Sequence, residues 1–596
     1  MIFSYRMSLT RNLSILMVIV SLSDLVAQNI ISEMDHDARH TYDRMIILGG
    51  EPLQMHSSIF PYLRTDLIEL ANLFESSVRT ESDIHDVQMI GDQNNEFLNA
   101  PSDVAVSERK YTDSTKTFYY IKDSIASTSY RYSKHPLWKT FYKTPAHFYE
   151  VDVKDFYLRV NPMIRISAGR ETNEDVTTFI NQRGLSVRGG VGKNVYFYTS
   201  VYDSQIRFAN YVNRFTDQTG VVPGAGFYKI YESAFLKFTE GRDFLLANAY
   251  VGVNLGKYVG FQLGHHQHFI GDGIRSLFLS DFSTPFFSLK FNTRIWKLHY
   301  QNIFAELAAD DFNSVLGSGQ SVPKKYMAAH YLSFKPSSTI TLGLFETVIF
   351  NRPDHRFELQ YLNPVILYRT VEGSIGSPDN VMLGLNARWD LKKTISIYGQ
   401  FLLDDIFISE ILDGHMDWWG NKLGHQLGIK YINAAKIENL DIQLEWNQVR
   451  PYTYSHYDQN ANYAHYNQAL AHPLGANFNE WIVSLHYRPF PKMIFQSSLY
   501  LINKGEDGLD STSFGGNILT PNTLRPGDFG NEIGQGINAD IIFWTTVISY
   551  ELSAGLNIDL QYLYRKKTSE IPALSLNTNL FQLGVRLNMA RREDIF

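Results

Sequence analysis

Two stretches of the chain concentrate the residues best suited to chemistry. The first is "GHHQHFIGDGIRSLFLSDFSTPFF" (264–287), which carries His265, His266 and His268, followed by Asp272 and Asp281. Side chains two apart on an extended segment share a face, so His266 and His268 point the same way. Two such imidazoles can hold a transition metal. No third ligand follows at recognisable spacing and the chain has no cysteine, so no metal is expected. The pair reads as polar residues bonded to their neighbours, or as contacts to a ligand. "IGDG" is too short for a phosphate cradle and is expected to be exposed; no P-loop or dinucleotide fingerprint occurs elsewhere.

The second stretch is "VRPYTYSHYDQNANYAHYNQALAHPLGANFNEW" (449–481). It interleaves Tyr452, Tyr454, His456, Tyr457, Tyr463, His465, Tyr466 and His472 with asparagine and glutamine. Flat aromatic faces beside amide and imidazole donors suit sugars, whose C–H faces stack and whose hydroxyls take hydrogen bonds. The same residues would also serve a large loop that packs against itself. In "HMDWWGNKLG" (415–424), Trp418 and Trp419 are either interface anchors or a further stacking platform. Candidate acids for catalysis are Asp404 with Asp405, Asp310 with Asp311, and Glu306. None has a partner that spacing places at glycosidase distance. Neither G-x-S-x-G nor H-E-x-x-H occurs. The expectation is no catalytic residue, no cofactor and binding rather than reaction.

The elements that position these residues are strands. From about Asp155 onward the hydrophobic period is two. In "DFYLRVNPMIRISAGR", Phe156, Leu158, Val160, Ile164 and Ile166 share one face; Arg159, Asn161, Arg165 and Ser167 share the other. In "NLDIQLEWNQ", Leu440, Ile442, Leu444 and Trp446 oppose Asp441, Gln443, Glu445 and Asn447. In "GLNIDLQYLYRK", Leu556, Ile558, Leu560, Tyr562 and Tyr564 oppose Asn557, Asp559, Gln561 and Arg565. Such segments run to roughly 10–13 residues, against about 5–6 in soluble sheets, which suits a tilted strand crossing a bilayer.

Short connections such as "GVGKN", "NLGKY" and "DLKKT" alternate with long ones near 207–230, 268–283, 308–325, 351–360, 405–420, 450–476 and 505–538. Strands with tight turns at one end and long loops at the other describe an up-and-down barrel. An open sheet edge is too costly in hydrocarbon, so the barrel must close. The expected class is all-β: a transmembrane antiparallel up-and-down β-barrel of about 18 strands, in a bacterial outer membrane, with lipid or lipopolysaccharide around it.

Composition agrees. Of 596 residues 14% are aromatic, with 36 Tyr and 39 Phe available for interfacial girdles. The net charge of -7 leaves no basic footprint for nucleic acid. Arg6 and Arg11, then the apolar "LSILMVIVSL", then small Ala27 read as a signal peptide over 1–27. Residues 28–150 read as a small, partly helical periplasmic or plug region before a barrel over 151–596. Within it "HDARHTYDRMIIL" and "PYLRTDLIELANLFESS" have helical spacing, while polar 78–117 is expected to be a loop. The terminal Phe596 is of the kind that ends outer-membrane barrels.

"HFIGDGIRSLFLSDFSTPFFSLKF" resembles the segment of outer-membrane capsule-assembly (Wzi-type) barrels in which a Gly-x-Gly loop precedes an SL-x-LS run and a proline. The matching positions are Gly271, Gly273, Ser276, Leu277, Leu279, Ser280 and Pro285. "WWGNKLGHQLGIKYINAAKIENLDIQLEWNQVRPYTYSH", "NYAHYNQALAHPLGANFNEW" and "HPLWKTFYKTPAHFYEVDVKDFYLRVNP" are similar to RemB-type gliding-motility barrels of Bacteroidetes, a branch of that group. The likeness covers most of 130–590. It implies a barrel of about 18 strands with a helical N-terminal element on the periplasmic side. It also implies polysaccharide binding without catalysis, or a surface adhesin served in gliding. Tyr452, Tyr454, His456, Tyr457, Tyr463, His465, Tyr466, Trp418, Trp419, His266 and His268 are the candidate contacts. A structural subunit among other outer-membrane proteins of a gliding or secretion assembly, and a porin-like channel, are the alternatives.

Overall fold

The computed structural model describes residues 30–98, 128–173, 176–233, 238–309, 321–352, 354, 356–376 and 378–596. The signal peptide expected at 1–27 and the acids Asp310 and Asp311 lie outside the described residues. Antiparallel strands from Phe156–Glu171 to Leu576–Leu587 form one closed barrel of 18 strands, each paired with the next along the chain. The last strand closes onto the first, with Leu580 opposite Glu171 and Leu587 opposite Ile164. Among the described residues no barrel strand is left with an edge open to hydrocarbon.

The two faces of the wall follow the alternation in the sequence. In Asn380–Leu391, Leu383, Leu385 and Trp389 face outward and are exposed, while Asn386 and Arg388 are buried inside. In Leu440–Val449, Asp441, Gln443, Glu445 and Asn447 are all buried in the bore. Tight turns join the strands at one end. Lys392 and Lys393 hold φ of 51° and 56°, which matches the right-handed strand twist in a two-residue turn. Gly256 and Gly555 supply the same sign of φ without a Cβ penalty. Tyr258, Trp296, Trp389, Phe490 and Tyr550 are exposed near this end, as an interfacial girdle requires.

Among the described residues three N-terminal helices precede the barrel: α1 (His36–Gly49), α2 (Arg64–Phe74) and α3 (Glu81–Gln93). α1 and α2 stand where the helical spacing predicts them. α3 corrects the expectation of a loop. It is started by a capping box in which Thr80 and Asp83 satisfy each other's backbone N–H. Its apolar face is thin because only Val87 and Ile90 meet the other helices in their small shared core.

The polar faces of this bundle find partners around the barrel wall. Glu96 pairs with Arg188 at 2.8 Å, Asp66 with Arg294 at 2.9 Å and Glu51 with Lys335 at 2.8 Å. Asp43 takes Arg388 at 3.0 Å and Lys430 at 2.6 Å, Arg44 takes Asp441 at 2.7 Å, and Asp86 takes Arg488. An element bonded to strands on so many sides of a closed barrel sits in its bore. These wall residues cluster beside the short turns, so the helices fill that end. These ion pairs are buried or partly buried, so their net contribution is small, but removing one partner would strand a charge.

Residues 588–596 also run inside the bore. Arg591 bonds Asp37 at 2.6 Å, and Phe596 lies against Phe215 with ring centroids 4.6 Å apart. The terminal aromatic Phe596 is thus packed inside the barrel. The polar "ARRED" before it is explained by the wet bore it occupies.

The 28-residue loop 450–477 and the strap 267–285 turn inward at the long-loop end, whereas loop 351–379 turns outward. Outside the wall, Phe304, Val348, Phe350 and Val381 form an apolar cluster with Tyr361, Tyr368 and Val371 of that loop.

Candidate functional site

The bore is crossed by a strap, residues 267–285, between the strands Val259–His266 and Phe286–Ile295. It pairs with the N-terminal region, Ile59 opposite Ile270 and Phe60 opposite Phe269. Its main chain is held by the wall. Glu445 accepts from the N–H of Ile274 at 2.6 Å and of Arg275 at 3.0 Å; Gln400 accepts from Leu277 N–H at 2.8 Å. A Cβ on Gly273 would lie 2.5 Å from the Glu445 carboxylate, so glycine is needed for this close approach. "IGDG" is thus a buried strap, not the exposed loop expected from sequence. Asp272 accepts from Ser57 at 2.9 Å and from Asn386 at 3.0 Å.

His266 and His268 do face inward together, with ring centroids 4.2 Å apart. Both are buried, and His268 Nε2 lies 3.3 Å from Ser288 Oγ. Tyr250 and Phe286 close over them at 5.4 Å and 5.2 Å. Both lie below the rim, His266 on the wall of the interior cavity, which corrects their placement among contacts at the external mouth. Among the described residues no cluster of three or more metal-ligating side chains occurs.

Above the strap lies loop 450–477, and here the structure divides the predicted residues. Tyr452, Tyr454 and Tyr463 are buried. Tyr454 donates its hydroxyl to Leu277 O at 2.8 Å, Tyr463 to Phe278 O at 2.7 Å and Tyr452 to Ser513 O at 3.0 Å. His465 accepts from Ala308 N–H at 2.9 Å, and His472 pairs with Glu480 at 2.9 Å. These five hold the loop down in the bore, so their faces are not offered to a sugar. Tyr454 and Tyr463 stack at 5.8 Å directly on the strap. Asp404 accepts Tyr454 N–H at 2.6 Å, Asp405 accepts its neighbour Ile406 N–H, and Glu306 pairs with Lys324. These acids fix local structure.

What stays accessible is the rim. Tyr457 is 53% exposed and its ring lies 4.1 Å from His456. Burial pushes the His456 imidazole down to about 4, so it is neutral near pH 7. Its Nδ1 accepts from Asp458 N–H at 3.2 Å, leaving Nε2 as the donor. Tyr466 meets exposed Phe227 edge-on at 5.7 Å. Trp418 lies 4.3 Å from exposed Phe407 and 5.5 Å from Trp419, and Arg525 sits 3.9 Å above the Trp419 ring. His415 and exposed Phe529 complete the group at 4.9 Å. Four loops therefore bring aromatic faces and donors to one mouth. Phe227, Phe407, Arg525 and Phe529 were not singled out from sequence. The usable signal was an aromatic residue in each long loop.

Below the strap a cavity of about 310 Å³ remains, lined by His36, His40, Arg275, His486, Tyr500 and Arg591. Helices from one end and strap, loop and tail from the other surround it.

The capsule assembly protein Wzi family matches residues 159–525, more than half of the chain. No curated protein sequence matches. Among solved structures, the fold is similar to that of Escherichia coli Wzi, an outer membrane protein involved in group 1 capsule assembly and a carbohydrate-binding β-barrel. The identity is 12% and the TM-score 0.52, covering 94% of this chain and 99% of that one. Pseudomonas aeruginosa OprD is similar at 11% identity and a TM-score of 0.40, over 72% of this chain and 94% of that one. Closed, lipid-facing outside and filled by its own helices, strap, loop and tail inside, this outer-membrane barrel belongs to the Wzi capsule assembly protein family.

Proposed function

We propose that this barrel holds surface polysaccharide at the mouth formed by its long loops, by binding and without catalysis. The short turns then face the periplasm and the mouth faces outward. Family membership supports the reading, as does the carbohydrate binding of its Escherichia coli structural relative. The observation that carries it is the division of loop 450–477. Buried Tyr454 and Tyr463 stop the bore, while Tyr457 and His456 stay on the rim, and the neighbouring loop brings Trp418 and Trp419 to the same mouth, Trp419 against Tyr452.

Calorimetric titration of the detergent-purified protein with native capsule tests this. Tyr457→Ala and Trp418→Ala should each weaken binding by about 1 kcal/mol, the worth of a stacked ring beyond its area. Affinity unchanged by both would remove the mouth from the account.

The strings shared with RemB-type barrels support a place in the gliding-motility branch found in Bacteroidetes. There the ligand is cell-surface glycan or an adhesin, and other outer-membrane proteins would be partners. Mild extraction and identification of co-purifying barrels or lipoproteins tests that branch, and a protein purified alone would count against it.

A further inference from the structure

Loop 351–379 runs down the outer wall of the barrel, and the register shows how far. Outward-facing Tyr300, Leu332, Leu344 and Leu385 form one row across four paired strands. Leu344 and Leu385 in that row are exposed on the lipid side. Tyr300 in the same row donates its hydroxyl to Pro364 O, and Asn302 donates to the same carbonyl at 3.2 Å. The loop tip thus reaches a level where the neighbouring strands present leucine to lipid. Ala308 ends that strand at the loop side, so Tyr300 lies about 26 Å along it at about 3.3 Å per residue.

The next row carries a group of polar side chains on what should be an apolar face. Asn302, His330 and Glu346 are paired in register, and the row then continues into exposed Leu383. All three polar residues are buried beneath the loop. Glu346 accepts Arg369 N–H at 3.1 Å; His330 meets Tyr300 Oη at 2.6 Å and lies under the Tyr368 ring at 3.8 Å. Irregular backbone in hydrocarbon is tolerable only where its polar groups are satisfied by protein. These outward polar residues do that for the loop.

The composition of the loop is graded to match. Its base is ionic, with Arg352 bonded to Asp379 at 2.7 Å; Tyr361, at the start of the segment beyond it, donates to the same carboxylate at 2.7 Å. Its tip, "LQYLNPVILY" (359–368), turns Leu359, Leu362, Val365 and Leu367 outward, with Val365 82% exposed. These side chains continue the apolar surface of Leu344 and Leu385.

We propose that the tip of this loop is inserted into the outer membrane, and that Leu359, Leu362, Val365 and Leu367 contact lipid acyl chains as an anchor on one side of the barrel. The chain has no native cysteine, so single cysteines report cleanly. Val365→Cys, Leu359→Cys and, in loop 406–421, Leu412→Cys at 81% exposure are reconstituted in liposomes and treated with a membrane-impermeant maleimide. Leu412→Cys should label, and the other two should label only after solubilisation in denaturant. A bimane fluorophore placed on Val365→Cys should then be quenched by lipids brominated in the acyl chain and not by aqueous iodide. Labelling of Val365→Cys and Leu359→Cys as readily as Leu412→Cys would overturn the proposal. So would protection from both quenchers, because a second protein would then cover the tip.

Discussion

Two loops leave the same end of this barrel and go opposite ways. Loop 450–477 turns into the bore and loop 351–379 turns out over the wall. Both place buried tyrosine rings against the protein, Tyr454 and Tyr463 on the strap and Tyr361 and Tyr368 on the outer wall. They differ in what the remaining side chains need. In the inward loop, tyrosine hydroxyls and imidazoles meet carbonyls and carboxylates of the strap and wall. In the outward loop, leucine and valine face away from the protein, and the strands supply the polar groups that its main chain lacks. A long rim loop settles in the solvent that matches its unsatisfied surface. Inside this barrel it meets hydrogen-bond partners together with an apolar cluster of Leu277, Phe278, Met327 and Phe345; outside it meets lipid.

Substitutions on each side should separate these causes. The largest effect is expected from Tyr454→Ala with Tyr463→Ala. Each removes a buried aromatic ring, worth about 3–5 kcal/mol. Amide exchange at 464–470 should rise sharply and the apparent Tm should fall, with no change at 361–368. Val365→Lys comes next, because a cation on the lipid face costs about 2–4 kcal/mol near mid-bilayer. A smaller fraction should assemble into the heat-modifiable barrel seen on gels, while Leu412→Lys assembles normally. Glu346→Leu leaves the Arg369 N–H without its acceptor, a loss of about 1–3 kcal/mol. Exchange at 368–371 should quicken and the inward loop should not respond.

The smallest effect concerns pH at the plugged end. Burial disfavours a charged His85, but the carboxylates of Asp86 and Glu551 outweigh it and hold its pKa up at about 9. A raised pKa means the contribution is complete below the unfolded value near 6.5 and is lost as pH rises through about 9. Protection of α3 should therefore fall between about pH 7 and pH 10. Protection that increases over that range would contradict the pairing of His85 with Glu551 at 2.9 Å.

The barrel was legible because strand alternation is a local signal. Leu444 beside Glu445 already says which side of the wall each faces. The strand count and the alternation of short and long connections followed from the same pattern. The direction of each loop was not legible. Tyr454 and Tyr457 are three residues apart in one polar–aromatic stretch, yet one is a bolt on the strap and the other lies open on the rim. Only the strap, brought there from 267–285, makes that distinction. α3 was missed because its partners are charged wall residues, so it needs little apolar face. His330 and Glu346 break the lipid-side pattern because a segment distant in sequence covers them.

Planar-bilayer recording on the intact protein tests the central claim most directly: the bore is filled from both ends and the protein works at its mouth. The account predicts no steady conductance after confirmed insertion. It also predicts that channels appear only when the strap and loop 450–477 are shortened and residues 30–98 are removed. A stable ohmic current through the unaltered protein would contradict it.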